Sequence, residues 1–123
     1  MLSASYGDDK IAWYENNGGA GTDWTAHDIA TNAWGAMSVY AADLDGDGDL
    51  DVLSASYGDD KIAWYENVGG SGDKLFSGVP HVITEAAVSA TSVYAAALDG
   101  DGDLAVLSAS ADDNNIAWYD HIA

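Results

Sequence analysis

The chain has 123 residues, 48% of them hydrophobic, which is enough for one domain with a packed core. Its formal net charge is −18, and it holds only three Lys or Arg residues. Nucleic acids and anionic membrane surfaces bind basic patches, so this charge argues against both as partners and favours cations. There is no cysteine to form a disulfide, and no apolar run of about 18 residues that could span a bilayer.

An internal repeat organises the sequence. Residues 2–16 recur without change as residues 53–67, and a third, altered copy covers residues 107–119. The leucines that open these copies are 51 and 54 residues apart. A period of about 50 residues is close to that of propeller blades and longer than that of helical or leucine-rich repeats.

Short apolar runs separated by Gly, Asp and Asn predict strands and turns, whereas helical periodicity is weak. Both faces of these runs carry apolar or small residues, which is typical of strands covered on both sides, as in stacked blades. Each complete repeat is predicted to hold four strands. In chain order, the predicted strands are 24–31 (a fourth strand), then 38–44, 51–56, 61–66 and 79–84.

The predicted fold is therefore an all-β propeller segment built from blades of four antiparallel strands, about two and a half blades in one chain. Residues 1–35 correspond to strands two to four of a partial blade, 36–88 to a complete blade, and 89–123 to strands one to three of another. A closed propeller has about four to eight blades, so we expect self-association, with two copies supplying about five blades and three about seven. The alternative, which is compatible with it, is that the chain is a piece of a longer natural propeller.

The loop at residues 43–51 reads Asp-Leu-Asp-Gly-Asp-Gly-Asp-Leu-Asp, with a carboxylate at every second position. Carboxylates this close repel one another, and Ca²⁺ takes six to eight oxygen ligands of this kind. The pattern predicts a calcium-binding loop; the alternative is a solvated acidic turn. An EF-hand is excluded because it needs Glu at position twelve, where Ser54 stands, and helices on both sides.

This loop, followed by Val-Leu-Ser-Ala-Ser, resembles the FG-GAP (VCBS-type) repeat, which builds the propeller of integrin α-subunits and of many extracellular proteins. The resemblance implies that calcium is bound between the first and second strands of a blade. It implies that the ligands are the side chains of Asp43, Asp45, Asp47 and Asp51 and the backbone carbonyl of Asp49. The Phe-Gly and Gly-Ala-Pro segments of the family are absent, which leaves the subfamily open.

A second, altered loop contains Asp99, Asp101 and Asp103. Alanine replaces the first and last ligand positions, at Ala97 and Ala105. Calcium affinity follows the number of charged ligands, so we expect this loop to be weak or empty.

Trp13, Trp64 and Trp118 recur at the same position of the third strand. Two roles are open: packing between blades, because aromatic side chains bury a large area, or stacking on a sugar ring, as in similar propeller lectins. Trp24 and Trp34 lie outside the strict repeat and are candidates for exposed contacts or for covering an edge strand.

His27 and His81 also recur, 54 residues apart, which favours a place in the fourth strand over a catalytic base; His121 stands in a similar context. No pair of carboxylates is singled out for glycoside hydrolysis. We therefore expect a non-enzymatic, calcium-binding propeller module with a structural or adhesion role, and a calcium-stabilised carbohydrate-binding lectin as the alternative. The resemblance implies an extracellular location, although the first residues do not look like a signal peptide, and a protein or glycan as partner.

Overall fold

A computed structural model describes residues 1–98 and 103–120 of the chain. The described residues form ten strands in three sheets. In chain order these are β1 (Leu2–Ser5), β2 (Lys10–Asn16), β3 (Trp24–Ala30), β4 (Ala36–Ala42), β5 (Asp51–Ser56), β6 (Lys61–Asn67), β7 (Phe76–Thr84), β8 (Ala90–Ala96), β9 (Ala105–Ser110) and β10 (Asn115–Tyr119). Single 3₁₀ turns occur at Asn17–Gly19 and Gly72–Lys74.

Within each sheet, strands that are consecutive in the chain pair antiparallel. The first sheet has the order β1-β2-β3, the second β4-β5-β6-β7 and the third β8-β9-β10. The expectation of an all-β fold with antiparallel sheets is thus confirmed. The turn between the second and third strands of each repeat ends in a residue of positive φ, namely Asp9 (58°), Asp60 (57°) and Asn114 (54°). Asp and Asn tolerate this left-handed conformation better than most residues.

β3 and β6 differ from their predicted bounds by one residue at the end, and β4 and β7 differ by more. β4 begins two residues earlier than predicted, because Ala36 already pairs with Ser56, and it ends at Ala42. β7 begins at Phe76, and its pairing continues through Pro80, which lies opposite Tyr65. Proline lacks an N–H group, and β7 is the edge strand of its sheet, where a missing donor is tolerated.

The three sheets stack through two apolar cores. Ile11 and Ile29 of the first sheet pack with Val52 and Tyr65 of the second. In the next interface, Leu53 and Ile62 of the second sheet pack with residues of the third, among them Val93 and Val106. The second sheet therefore lies between the other two, with one face against the first sheet and the opposite face against the third.

Backbone hydrogen bonds tie successive sheets together at the turn before the third strand. The carbonyl of Asp9 accepts the N–H of Ala33 at 2.9 Å, and one repeat later the carbonyl of Asp60 accepts the N–H of Ala87 at 3.1 Å. The carboxylate of Asp60 also accepts the N–H of Ser89 at 2.9 Å. These contacts fix the entry to the first strand of each repeat, and hence the start of the Asp-rich loop that follows it.

Candidate metal centre

The loop between β4 and β5 closes around the carboxylate of Asp43. Its Oδ1 accepts the N–H of Gly46 and its Oδ2 that of Gly48, both at 2.9 Å. The two glycines have φ values of 77° and 95°, a region in which other residues are strained. The glycines of the motif therefore let the backbone turn back onto its first aspartate.

Asp45 and Asp47 extend the same pattern along the loop. Oδ1 of Asp45 accepts the N–H of Asp47 at 3.2 Å, and Oδ1 of Asp47 accepts the N–H of Asp49 at 2.9 Å. These local bonds hold successive carboxylates at set positions, although all three residues are exposed.

Asp51 differs from the other loop carboxylates because it is 0% exposed. Its Oδ2 accepts the N–H of Leu44 and its Oδ1 accepts the N–H of Asn67, both at 2.9 Å. The side chain of Asn67 in turn donates to the carbonyl of Leu50 at 3.1 Å. Asp51 therefore connects the start of the loop, its own strand and the end of β6.

The loop carboxylates converge in two overlapping groups. Oxygen atoms of Asp43, Asp45 and Asp51 lie within 4.8 Å of one another, and so do oxygen atoms of Asp45, Asp47 and Glu66. Carboxylate oxygens at this spacing suit a hard divalent cation, and a mixed set with flexible geometry suits Ca²⁺ better than Mg²⁺. The donor set therefore fits the ion that the sequence predicts.

Burial and mutual repulsion both disfavour the charged form of this cluster. Burial is the largest cause that raises the pKa of Asp51, and the backbone N–H groups of Asn67 and Leu44 oppose it. Desolvation likewise raises the pKa of Asp45, and the negative charges of Asp51 and Asp47 add to the rise. A bound cation would relieve both effects.

The structure thus brings together the four side chains that the family resemblance names as ligands. The fifth predicted ligand, Asp49, was assigned through its carbonyl, and its N–H bond to Asp47 keeps it in the same turn. Glu66 was missed by sequence reasoning. The pairing of Val52 with Tyr65 brings Glu66 beside Asp51, so the hairpin register of strands two and three was the signal that could have found it.

The second loop is only partly described. Asp99 and Asp101 lie outside the described residues, as does His121; Asp103 is exposed and precedes β9. The weak second site therefore stays a prediction.

Comparison with models of known protein families identifies the family to which the repeats of this chain belong. The sequence model of the FG-GAP-like repeat matches residues 1–54 and again residues 43–108. The chain belongs to the FG-GAP-like repeat family. Repeats of this family form β-propeller blades, in agreement with the all-β, antiparallel sheets described above. The comparisons with curated proteins and with solved structures found no match.

The first two FG-GAP-like repeats also place their tryptophan against a histidine of the same repeat. Trp13 stacks on His27 with ring centroids 4.6 Å apart, and Trp64 stacks on His81 at 4.4 Å. Each histidine faces the glutamate of its own repeat: Nε2 of His27 lies 3.0 Å from Glu15, and Nε2 of His81 lies 3.7 Å from Glu66 (Oε1 in both cases). Both histidines lie in the fourth strand of a repeat. The remaining tryptophans, Trp24, Trp34 and Trp118, are exposed.

A cavity lies beside each stacked tryptophan, between successive sheets. One, of about 280 Å³, is lined by Trp64, Ile83 and Tyr119 among others. The other, of about 390 Å³, is lined by Trp13, Val52 and Phe76 among others. Both are mostly apolar with a few polar neighbours, which is the usual character of small-molecule sites.

Within the described part of the chain, no helix is long and apolar enough to cross a membrane.

Proposed function

We propose that this chain is a calcium-binding β-propeller repeat module with a structural or adhesion role and no catalytic activity. The observation that carries the proposal is the buried carboxylate of Asp51, which lies within 4.8 Å of the carboxylates of Asp43 and Asp45. A buried anion beside other anions destabilises the fold unless a cation compensates it.

The ion would stabilise one blade by connecting parts of its sheet. Asp51 already bonds to Leu44 at the end of the first strand and to Asn67 at the end of the third. A cation held by Asp43, Asp45 and Asp51 would therefore bridge the end of β4, the loop and the start of β5. Because it binds the folded chain and not the unfolded one, it stabilises the fold by mass action.

An extracellular location suits such a site. Calcium sites of extracellular modules have dissociation constants of about 10⁻⁴–10⁻³ M, and exposed loop carboxylates can bind calcium with this affinity. The partner in this role is a protein surface that contacts the face or rim of the propeller.

The recurrence of the histidine–glutamate pairs supports a role without catalytic activity. The histidine–glutamate pairs occur twice, each against a stacked tryptophan, with His27 buried in its strand. A pair that recurs at the same place in successive repeats is explained by blade packing, without a role as general base.

Calorimetric titration of chelator-treated protein with Ca²⁺, followed by thermal denaturation, tests the calcium proposal. We expect about one ion to bind per chain and the melting temperature to rise with calcium. Asp45→Asn should remove most of both effects. Asp8→Asn removes the same charge from an exposed turn outside the loop and serves as the matched control. No heat of binding, or equal losses in the two variants, would contradict the proposal.

A carbohydrate-binding lectin is the second candidate, favoured by the cavities beside Trp13 and Trp64. Each indole stacks on a histidine and also lines a cavity, which is where a sugar ring would bind. A glycan array with calcium present tests this role, using Trp64→Leu and, as the control, Trp34→Leu at an exposed site outside the repeat. Binding that only Trp64→Leu abolishes, in a protein that still melts cooperatively, favours the lectin. If no glycan on the array binds, the structural or adhesion role is favoured instead.

A further inference from the structure

Two aspartates of the loop between β4 and β5 are followed directly by glycine. They are Asp45, before Gly46, and Asp47, before Gly48, and both aspartates are exposed. Aspartate followed by glycine is the sequence at which a protein backbone isomerises most readily, because glycine has no side chain to obstruct the approach of its nitrogen to the carboxyl group. The loop therefore contains two peptide bonds at which this reaction can occur.

The isomerisation of an aspartate needs no reagent other than water. The backbone nitrogen of the glycine attacks the carboxyl carbon of the preceding aspartate; a C–N bond forms, and the carboxyl hydroxyl and the amide proton leave as water. Water then opens the five-membered succinimide ring. Attack at one carbonyl restores aspartate, whereas attack at the other gives isoaspartate, in which the main chain runs through the former side chain. No electrons are transferred, and the product has the same mass as the original residue.

The side chain of Asp43 holds both of the nitrogens that would attack. Its Oδ1 accepts the N–H of Gly46 and its Oδ2 accepts the N–H of Gly48, both at 2.9 Å. Hydrogen bonds to a carboxylate are stronger than those between neutral groups. Ring closure requires each N–H group to turn away from Asp43 and toward the carboxyl carbon of the residue before it. One carboxylate thus restrains the reaction at two places.

The two carboxyl groups that would be attacked are held as well. Oδ1 of Asp45 accepts the N–H of Asp47 at 3.2 Å, and Oδ1 of Asp47 accepts the N–H of Asp49 at 2.9 Å. Each side chain thus bonds to the second residue after it instead of to the next peptide nitrogen. Because the turn closes on Asp43, loss of that carboxylate should loosen these bonds too.

The glycines that make the two peptide bonds reactive are also required by the shape of the loop. Gly46 has a φ of 77° and Gly48 a φ of 95°. A residue with a side chain is strained in this region, so another residue could replace either glycine only at a cost in stability. Protection against isomerisation must therefore come from contacts elsewhere in the loop.

We propose that Asp45 and Asp47 are sites of spontaneous isomerisation to isoaspartate, and that the carboxylate of Asp43 controls the reaction by holding the two attacking N–H groups. Isoaspartate lengthens the main chain by one carbon and shortens the side chain by one. The modified carboxylates would therefore leave the positions at which their oxygens lie within 4.8 Å of those of their neighbours. Calcium is not required for this control, because every contact that exerts it lies within the chain.

Incubation of the full chain at neutral pH with chelator, below its melting temperature, tests the proposal. Peptide mapping with electron-transfer fragmentation distinguishes isoaspartate from aspartate at each site. The same chain in guanidinium chloride gives the rate without structure, and we expect the folded parent chain to react more slowly. Asp43→Ala should raise the rate at both Asp45 and Asp47 on the order of tenfold, the effect of losing one hydrogen bond to a charged group.

Gly35→Ala is the matched control for a general loss of stability. It places a Cβ atom 2.7 Å from the backbone of Gly58, outside the loop, and should leave both rates as in the parent chain. If Asp43→Ala does not fold by circular dichroism, Asp43→Asn probes the same position. Its amide has one acceptor oxygen instead of two, so one N–H group is released and only the aspartate before it should react faster.

Four results would each overturn the proposal. They are equal rates in the folded and unfolded parent chain, no acceleration in either variant of Asp43, a slower reaction in Asp43→Ala, and an equal acceleration in Gly35→Ala. A slower reaction in Asp43→Ala would mean that the carboxylate promotes ring closure as a base. Because chelator is present throughout, these outcomes do not depend on whether the loop binds calcium.

Discussion

The backbone N–H of Asn67 donates to the buried carboxylate of Asp51 at 2.9 Å, which joins the end of β6 to the last residue of the Asp-rich loop. Asp51 also accepts the N–H of Leu44 from the start of that loop. A single side chain thus organises both the candidate ion site and the hairpin beside it. Loss of this carboxylate should therefore affect the fold and the ion site together.

Asp51→Asn should lower the free energy of unfolding by about 1–3 kcal/mol even without calcium, because the amide presents an N–H₂ group to one of two buried backbone donors. It should also abolish the gain in stability on adding calcium. Urea unfolding with chelator and with calcium measures both effects. Asp49→Asn is the control, since it removes the same charge from an exposed position of the loop. An Asp51→Asn protein that calcium still stabilises as much as the parent chain would show that the ion binds elsewhere.

Glu66→Gln should weaken calcium binding on the order of fivefold, or about 1 kcal/mol, because one negative charge leaves the group that includes Asp45 and Asp47. Glu15→Gln is the matched control. Glu15 holds the equivalent position one repeat earlier, where its carboxylate faces His27. Calorimetric titration compares the two. Equal affinities in both variants would mean that Glu66 does not contact the ion.

The stacking of the sheets was readable from the sequence because the repeat period and the alternation within each strand were both intact. The positions of Ile62 and Trp64 on one face followed from their two-residue spacing, and the observed β5 has the predicted bounds. Contacts between strands were harder to read, since they depend on register. Glu66 reaches the loop only because Tyr65 pairs with Val52.

The sequence also could not predict that residues at equivalent positions of two repeats make different contacts. Asp8 and Asp59 occupy the same place in an identical segment, yet Asp8 is exposed whereas the Asp59 side chain is 15% exposed, with its Oδ2 3.6 Å from Lys61. Sequence identity within a repeat therefore does not imply an equal environment.

Asp59→Asn should stabilise the protein at neutral pH. Burial is the main cause that raises the pKa of Asp59, Lys61 opposes it, and Oδ1 is a buried oxygen without a hydrogen-bond partner among the described residues. A raised folded-state pKa adds stability that is fully present below the ordinary value of about 3.9 and is lost as pH rises through the raised value. The parent chain should therefore lose more stability across that window than the Asn variant, since the raised pKa values of Asp51 and Asp45 act in both chains.

Thermal denaturation from pH 4 to pH 7 in chelator checks this expectation while keeping calcium out of the comparison. Asp8→Asn, at the equivalent exposed position, should follow the parent chain at every pH. If Asp59→Asn and the parent chain showed the same pH dependence, the ionised carboxylate would have to be compensated in the folded state.

Gly35→Ala should destabilise the fold by about 1–3 kcal/mol, because a residue with a side chain is strained at positive φ. Gly35 has a φ of 66°, and a Cβ atom there would lie 2.7 Å from the backbone nitrogen of Gly58 in the neighbouring turn. Because the Cβ atom is fixed by the backbone of residue 35 and its neighbour is a backbone atom, no side-chain rotation can relieve the contact. Gly7→Ala is the control: Gly7 is the repeat equivalent of Gly58, and a Cβ atom there meets nothing within 4 Å. Urea unfolding of the two variants therefore compares a glycine required by the contact between sheets with a glycine at an open turn, and equal stabilities would show that the two turns can separate at little cost.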